Sequence, residues 1–414
     1  MKKKEEIMED ENIDTKKEIV TIKKEGFSYP EMVIIMIIAV LFGFLIGNVV
    51  SFTKKETTNS SVPSELKEFV DTYNDIVNNY YDKVNKEELI DAGIKGMINY
   101  LDDPYATYFD GTSSTNFNQT LEGNYEGVGI EVTLDNNKVK ITKVFADTPA
   151  KKAGIKVGDY ITKVNGESVE GKSLSDVVSL IKNAKNKEVE ITITRDNQEK
   201  TIKVTRTTVD MPYTSSKVYE ENGKKIGYLK IEIFSNNITK QVKKELESLK
   251  KKNIDKLVID VRDNPGGYLT QVTEILSLFM TKKDVIYQLQ TKNNKEKVYG
   301  TSSKATYNYP VVVLINENSA SASEILASAF KETYNAEIVG VNSYGKGTVQ
   351  KTGDLNNGDT IKYTVQKWLT PKGNWINEKG VTPTKEVKLE LKENETLTED
   401  NDNQLKAAIE LASK

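Results

Sequence analysis

One stretch sets the terms for the rest of the chain. Met32 to Val50 is 19 residues without a charge, Met-Val-Ile-Ile-Met-Ile-Ile-Ala-Val-Leu-Phe-Gly-Phe-Leu-Ile-Gly-Asn-Val-Val. About 20 apolar residues at 1.5 Å rise span a hydrocarbon core of about 30 Å. Nothing amphipathic interrupts the run, as it would in a helix at the surface of a soluble core. A cleaved signal peptide has a shorter apolar segment and a small-x-small site, and Val50-Ser51-Phe52-Thr53 lacks that pattern. The run therefore reads as one uncleaved transmembrane helix, 32–50. Lys2–Lys4, Lys16, Lys17, Lys23 and Lys24 precede it, against Lys54 and Lys55 after it. That bias favours a cytoplasmic N-terminus and an extracytoplasmic remainder. Gly43 and Gly47 have the spacing that packs two membrane helices; a homodimer and chance explain the pair equally well.

The 1–31 tail is charged and poor in apolar residues over 1–26, a composition that does not build a core. Residues 51–63 read as a polar linker. From 64 to 112 the apolar residues fall at helical spacing, Leu66, Phe69, Val70, Tyr73, Ile76 and Val77, then Leu89, Ile90, Ile94, Met97 and Ile98. Asp102-Asp103-Pro104 stops this helical segment.

The chain has no histidine and no cysteine. It can therefore form no disulfide, thiolate nucleophile or Ser-His-Asp triad, and the usual zinc ligands are missing. Acid–base chemistry falls to carboxylates, lysine or tyrosine. Lys+Arg is 58 and Asp+Glu is 61, a net charge of -3, which is not the basic footprint of a nucleic-acid binder.

Over 115–208 the pattern changes to short strands and turns around one helix, Ser175 to Lys182. Gly127-Val128-Gly129-Ile130, Asp147-Thr148-Pro149-Ala150, Val157-Gly158-Asp159 and Val164-Asn165-Gly166 follow in order. This stretch resembles a PDZ domain, with Gly127 to Ile130 in the place of its carboxylate-binding loop. Successive N–H groups there can hold a peptide's terminal carboxylate while the strand edge adds the peptide as a further strand. The expected partner is thus the C-terminal end of a protein or peptide substrate.

Over 209–392 strands and helices alternate. Leu257 to Val261 and Val311 to Ile315 are continuous apolar runs, as in strands buried on both faces. The expected fold is an α/β core with a mixed sheet and helices, into which the PDZ domain is inserted. Sites in such folds sit beyond the carboxyl ends of the strands. Three junctions stand out: Asn264-Pro265-Gly266-Gly267, Asn318-Ser319-Ala320-Ser321-Ala322-Ser323-Glu324, and Ser343-Tyr344-Gly345-Lys346-Gly347-Thr348-Val349-Gln350.

The third contains Gly340-x-x-x-x-Gly345-Lys346, most of a phosphate-binding loop. Glycine at 347 stands where a Ser/Thr would hold magnesium, and strand character follows where a helix should open. Taken together, the three junctions suggest different chemistry. A serine hydroxyl needs a neighbouring base, and burial can strip a lysine of its proton. The helix start near Ser321 and the Gly266-Gly267 turn offer N–H groups for an oxyanion hole.

Ser-Ala-Ser-Ala-Ser-Glu-Ile and Tyr-Gly-Lys-Gly-Thr-Val-Gln resemble the carboxy-terminal processing (tail-specific) serine proteases, and the resemblance runs from about 64 to 390. It implies Ser321 as nucleophile, Lys346 as general base 25 residues on, and Gln350 as the support of the lysine. It implies an oxyanion hole from Gly266 or Gly267 with Ala322, and no cofactor or metal. The chain departs from the family at Asp102-Asp103-Pro104, where Leu-Asp-Pro-His is more usual. The expected function is a membrane-anchored serine endopeptidase that recognises the C-terminal region of its substrates. The alternative is a non-catalytic PDZ scaffold on a decayed protease fold. Ser319 and Ser323 read as packing or capping residues, Arg262 and Asp263 as structural, and Glu324 as a first-turn residue facing the helix dipole. The role of 393–414 stays open.

Overall fold

The computed structural model describes residues 63–182, 184–392 and 395–414. The 32–50 segment and the 1–31 tail lie outside the described residues. Among the described residues no helix is long and apolar enough to cross a membrane. The chain divides into two compact units, Met1–Leu89 and Ile90–Lys414. In the first, the described part is a short turn, Ser64–Leu66, the helix Lys67–Asn79 and the start of Lys86–Tyr100. Lys67–Asn79 keeps its apolar residues on one face and buries none of them.

The second unit contains three sheets and a two-stranded ribbon. Its largest core surrounds a six-stranded sheet, ordered Thr214–Glu221, Lys224–Ile231, Lys256–Asp260, Val311–Ile315, Glu337–Gly340, Lys385–Glu386. The first pair is antiparallel and the others are parallel. Strand order follows chain order throughout, so right-handed crossovers all fall on one face of the sheet. Helices Ile238–Lys251, Leu269–Leu276 and Ala322–Glu332 occupy that face and bury Val242, Leu246, Val272, Ile275, Ile325 and Phe330 against it. The opposite face would be left wet. The helix Asn403–Ser413 covers it with Leu405, Ala408, Ile409 and Ala412 against Ile226, Val258, Leu314 and Val339. Burial of Leu405 and Ile409 contributes about 1.5–3 kcal/mol each. The 393–414 segment is therefore part of the core where it is described.

A second, antiparallel sheet joins Thr107–Phe109, Thr360–Leu369, Val285–Gln290 and Lys295–Tyr299, with Thr348–Asp354 also on Thr360–Leu369. Thr107–Phe109 and the helix Gly111–Glu122 carry little apolar periodicity, and the sequence does not announce them. Local chemistry holds the helix. Asp110 caps it by accepting from Ser113 N at 2.8 Å, and Gly123 ends it at φ 71°.

The PDZ sheet runs Ile130–Asp135, Lys138–Val144, Tyr160–Val164, Glu188–Arg195, Gln198–Thr205, with Glu167–Ser168 alongside Tyr160–Val164. It encloses its own core of Ile141, Ile155, Val177, Ile191 and Ile193 with the helix Leu174–Lys182. Buried Asp159 accepts a bidentate pair of bonds from Arg195, at 2.6 and 2.7 Å, which closes the sheet on the Ala153–Asp159 turn.

Candidate active site

All three singled-out junctions leave the carboxyl ends of sheet strands or follow directly from them. The chain exits buried Val311–Ile315 through Asn316–Ala320 and enters the helix Ala322–Glu332. Ser321 stands at the joint with φ 54° and ψ −112°. Side-chain-bearing residues seldom adopt such a conformation, and it costs about 1–3 kcal/mol. Neighbouring hydrogen bonds hold it in place. Ala320 N donates to Asn264 O at 3.0 Å and Ser323 Oγ to the same oxygen at 2.8 Å. Ser319 Oγ donates to Val261 O at 2.8 Å. Ser319 and Ser323 thus bind the Ser321 turn to the 261–264 turn, which is the packing role expected of them.

Glu324 does more than its position in the first turn suggests. It is fully buried and accepts four bonds. Its Oε2 accepts from Ser321 N at 2.8 Å and from Lys346 N at 2.9 Å. Its Oε1 accepts from Ser343 Oγ at 2.6 Å and from Gly345 N at 2.7 Å. One carboxylate therefore ties the backbone of the candidate nucleophile to the backbone of the candidate base. Burial pushes its pKa up, and the four donors oppose that shift. The sequence signal was present, since Glu three residues after Ser is a capping-box spacing. Its long-range partners were not visible.

Lys346 enters the strand Thr348–Asp354, not a helix, so the glycine-lysine run does not have the architecture of a nucleotide-binding loop. Its carbonyl accepts from Trp368 Nε1 at 2.7 Å and its ammonium lies 4.8 Å from the centre of the Tyr105 ring. Burial first, and then the positive charge of Lys362, lower its pKa from 10.5 to about 8; Asp103 and Glu324 pull the other way. Gly347 is required at this turn, since a Cβ would lie 2.6 Å from Trp375 Nε1. Gln350 is close in sequence, but its Nε2 donates to Thr348 Oγ1 at 2.9 Å and to Thr364 Oγ1 at 3.0 Å. Among the described residues no hydrogen bond joins Ser321 Oγ or Gln350 to the Lys346 amine.

The 261–267 turn faces the same joint. A Cβ on Gly266 would lie 2.8 Å from Ser321 Cβ, and one on Gly267 would lie 2.3 Å from Phe234 O. Both have positive φ, 105° and 140°, so glycine is needed here for backbone and for space. Gly266 N donates to Asn264 Oδ1 at 2.9 Å. Among the described residues the N–H groups of Gly267 and Ala322 have no such commitment. Arg262 is paired with Asp260 and Asp402, while Asp263 Oδ1 accepts from Asn316 and Asn318. Both side chains are thus committed to bonds that hold the turn.

In the PDZ domain, Gly127 to Ile130 link the ribbon strand Asn124–Gly127 to Ile130–Asp135. Val128 is buried, and its carbonyl accepts from Ala150 N at 2.9 Å. Gly129 has φ 87°, and a Cβ there would lie 2.4 Å from Thr148. A cavity of about 460 Å³ opens beside this loop, lined by Tyr125, Ile130, Phe145, Val178 and Lys182. Lys182 Nζ donates to Gln119 Oε1 at 3.3 Å, and both line the cavity.

The fold and these junctions define an α/β peptidase core carrying a PDZ domain. Family models agree: residues 225–387 match Peptidase family S41, 140–195 match the PDZ domain, and 46–113 match the Activating protease CtpB N-terminal domain. The chain is 40% identical over 318 residues to the carboxy-terminal processing protease CtpB of Bacillus subtilis (strain 168), covering 76% of this chain and 66% of that protein. It is 36% identical over 351 residues to CtpA of the same organism, covering 84% of this chain and 73% of that one. A solved structure titled photosystem II D1 C-terminal processing protease is similar over 79% of this chain and 94% of that one, with 26% identity and a TM-score of 0.45. The chain belongs to the carboxy-terminal processing proteases of peptidase family S41.

Proposed function

We propose that this protein is a membrane-anchored serine endopeptidase that cuts protein substrates selected by their C-terminal region through the PDZ groove. The observation that carries the catalytic part is the shared Glu324 carboxylate, which links Ser321 N to Lys346 N beside a buried amine of lowered pKa. Ser321 Oγ attacks the scissile carbonyl, and the neutral Lys346 amine takes its proton. The N–H groups of Gly267 and Ala322 receive the oxyanion, with Gly266 providing the room. The amine then protonates the leaving group, and water hydrolyses the acyl-enzyme. Gln350 orients the lysine once the site tightens around a substrate, since hydrogen bonds of this kind are often loose in unliganded sites. The PDZ groove takes an extended C-terminal segment beside Ile130–Asp135, its carboxylate at Gly127 to Ile130. The reaction needs no cofactor. The anchor is the 32–50 run, and a partner copy of the chain fits its glycine spacing. The full chain is expected to sediment with membranes and a chain starting at residue 64 to remain in solution; sedimentation of both would remove the anchor.

The test uses the chain from residue 64 on unfolded casein. Ser321→Ala should be inactive; no proteolysis by the wild type itself would leave only the scaffold reading, and equal activity in the two would remove Ser321 as the nucleophile. In the active protein, log(kcat/KM) should rise with pH and level off near pH 8, because the base works only when deprotonated. Lys362→Met removes a like charge, so the Lys346 pKa goes up and the rise moves to higher pH. Asp103→Asn removes an opposite charge and should move it the other way. A profile that does not move in either variant would mean that another group titrates.

A further inference from the structure

The turn that carries Gly266 and Gly267 is rooted in a buried cluster to which the C-terminal segment contributes half. Arg262 follows Lys256–Asp260 by two residues and is 7% exposed. Its Nε donates to both oxygens of Asp260 at 3.1 Å, and its Nη2 donates to Asp260 Oδ2 at 2.7 Å. On the far side Nη2 donates to Asp402 Oδ2 at 2.7 Å, while Nη1 donates to Asp402 Oδ1 at 2.9 Å and Gln404 Oε1 at 3.0 Å. Asp402 is itself fixed, since its Oδ1 caps the helix Asn403–Ser413 by accepting Leu405 N at 2.8 Å. Gln404 Nε2 donates to Val387 O at 2.8 Å. Paired forks of this kind constrain direction as well as distance.

From Arg262 the restraint runs straight into the site. Arg262 N donates to Asp260 Oδ1 at 2.9 Å. Two residues on, the Asn264 side chain donates to Ile231 O at 2.9 Å and receives Gly266 N, while its carbonyl receives Ala320 N and Ser323 Oγ. The guanidinium thus anchors the base of a turn whose tip lies against Ser321. Burial alone would work against its charge, but Asp402 and Asp260 hold it firmly protonated. Without Asp402, one face of a buried cation loses its partner, and the turn can shift to let water reach it.

We infer that Asp402 is a positioning residue for the peptidase reaction: through Arg262 it fixes the 262–267 turn at the distance from Ser321 that an oxyanion requires. The segment 395–414 is then a working part of the active-site assembly. A displacement of about 1 Å at a reacting group can cost about a hundredfold in rate, so the effect should appear in kcat. This inference rests on the proposed Ser321 chemistry.

The experiment compares full-length wild type, Ser321→Ala, Asp402→Asn, Asp402→Glu and Gln404→Leu. Each is assayed on a quenched fluorescent peptide from casein and with a peptide aldehyde, whose hemiacetal oxygen occupies the oxyanion position. Unfolding in urea is followed in parallel. Asp402→Asn should lower kcat about 10–100-fold with KM within about twofold, and weaken the aldehyde by the same factor. Asp402→Glu, which restores the charge, should recover part of both. A folded Asp402→Asn with wild-type kcat and aldehyde affinity, beside an inactive Ser321→Ala, overturns this inference alone. Full activity in Ser321→Ala overturns the serine reading and this inference with it. Should Asp402→Asn not fold, Asp402→Glu decides. It keeps the charge but moves the carboxylate by one methylene, so the fork onto Arg262 cannot keep its geometry, and unchanged kcat and aldehyde affinity there overturn the inference; Gln404→Leu, which removes only the additional acceptor on Nη1, should show a smaller loss than either.

Discussion

Lys346→Met is expected to abolish proteolysis and to stabilise the fold. The loss follows from chemistry: positioned acid–base groups contribute about 10²–10⁴-fold, and with no histidine in the chain no imidazole can stand in. The gain follows from burial. In the unfolded chain the amine titrates near its ordinary 10.5, and in the folded protein at about 8. The folded state therefore releases its proton first. Below pH 8 both states are protonated and the folded one carries a desolvated cation, at a cost of about 3 kcal/mol if fully expressed. That penalty is relieved as pH rises from about 8 to 10.5. Methionine keeps the length of the stem and removes the charge. At pH 7 its unfolding free energy from the urea transition should lie above wild type by about 1–3 kcal/mol, and the difference should shrink as the pH approaches 10. A variant that loses activity and also stability at pH 7 would contradict the picture of a buried, reluctantly charged base. Lys346→Arg is expected to lose activity without the gain, because a guanidinium cannot give up its proton in this range.

The second large effect belongs to Glu324. Glu324→Ala leaves Ser321 N, Gly345 N, Lys346 N and Ser343 Oγ without their acceptor in a fully buried place. Each stranded donor costs about 1–3 kcal/mol, reduced where water enters the space the carboxylate left. A destabilisation of about 3–5 kcal/mol is expected, read as a lower urea midpoint. Proteolysis should fall by more than a hundredfold in the fraction still folded. Glu324→Gln preserves shape but turns one of its two acceptor oxygens into an NH₂ that meets N–H donors head-on. It should lie between the two in stability while losing most of the activity. Unchanged stability in Glu324→Ala would show that the four bonds are replaced by water at no cost, and unchanged activity would show that the Ser321 and Lys346 loops find each other without it.

Both effects turn mainly on long-range contacts, which local pattern in the chain does not encode beyond the capping-box spacing of Ser321 and Glu324. The strands at 257–260 and 311–315 were legible because strands buried on both faces are continuously apolar. Ile238–Lys251 was legible because one face of the helix repeats every three to four residues. The PDZ loop was legible because Gly127-Val128-Gly129-Ile130 opens an ordered set of turns, Asp147 to Ala150, Val157 to Asp159 and Val164 to Gly166. Gly111–Glu122 was not, because its stability lies in an aspartate cap and a left-handed glycine and not in a repeating apolar face. The role of Asn403–Ser413 was hidden for a different reason. Its apolar residues announce a helix that must dock, but the surface it docks on exists only after all crossovers have fallen to the other side of the sheet.

By itself the sequence determined which chemistries are closed to this protein, which family it belongs to, and which serine and lysine deserve attention. Those are properties of residue identity and spacing, and they survive without a fold. Only the tertiary structure decided how the Ser321 and Lys346 backbones are joined through Glu324, that the Gly266 N–H is already engaged by Asn264, and that Asp402 pairs with Arg262. A carboxylate has no role until its partners arrive. Here they come from segments 22 and 140 residues away, and only folding brings those segments to one point in a place dry enough for a single charge to matter.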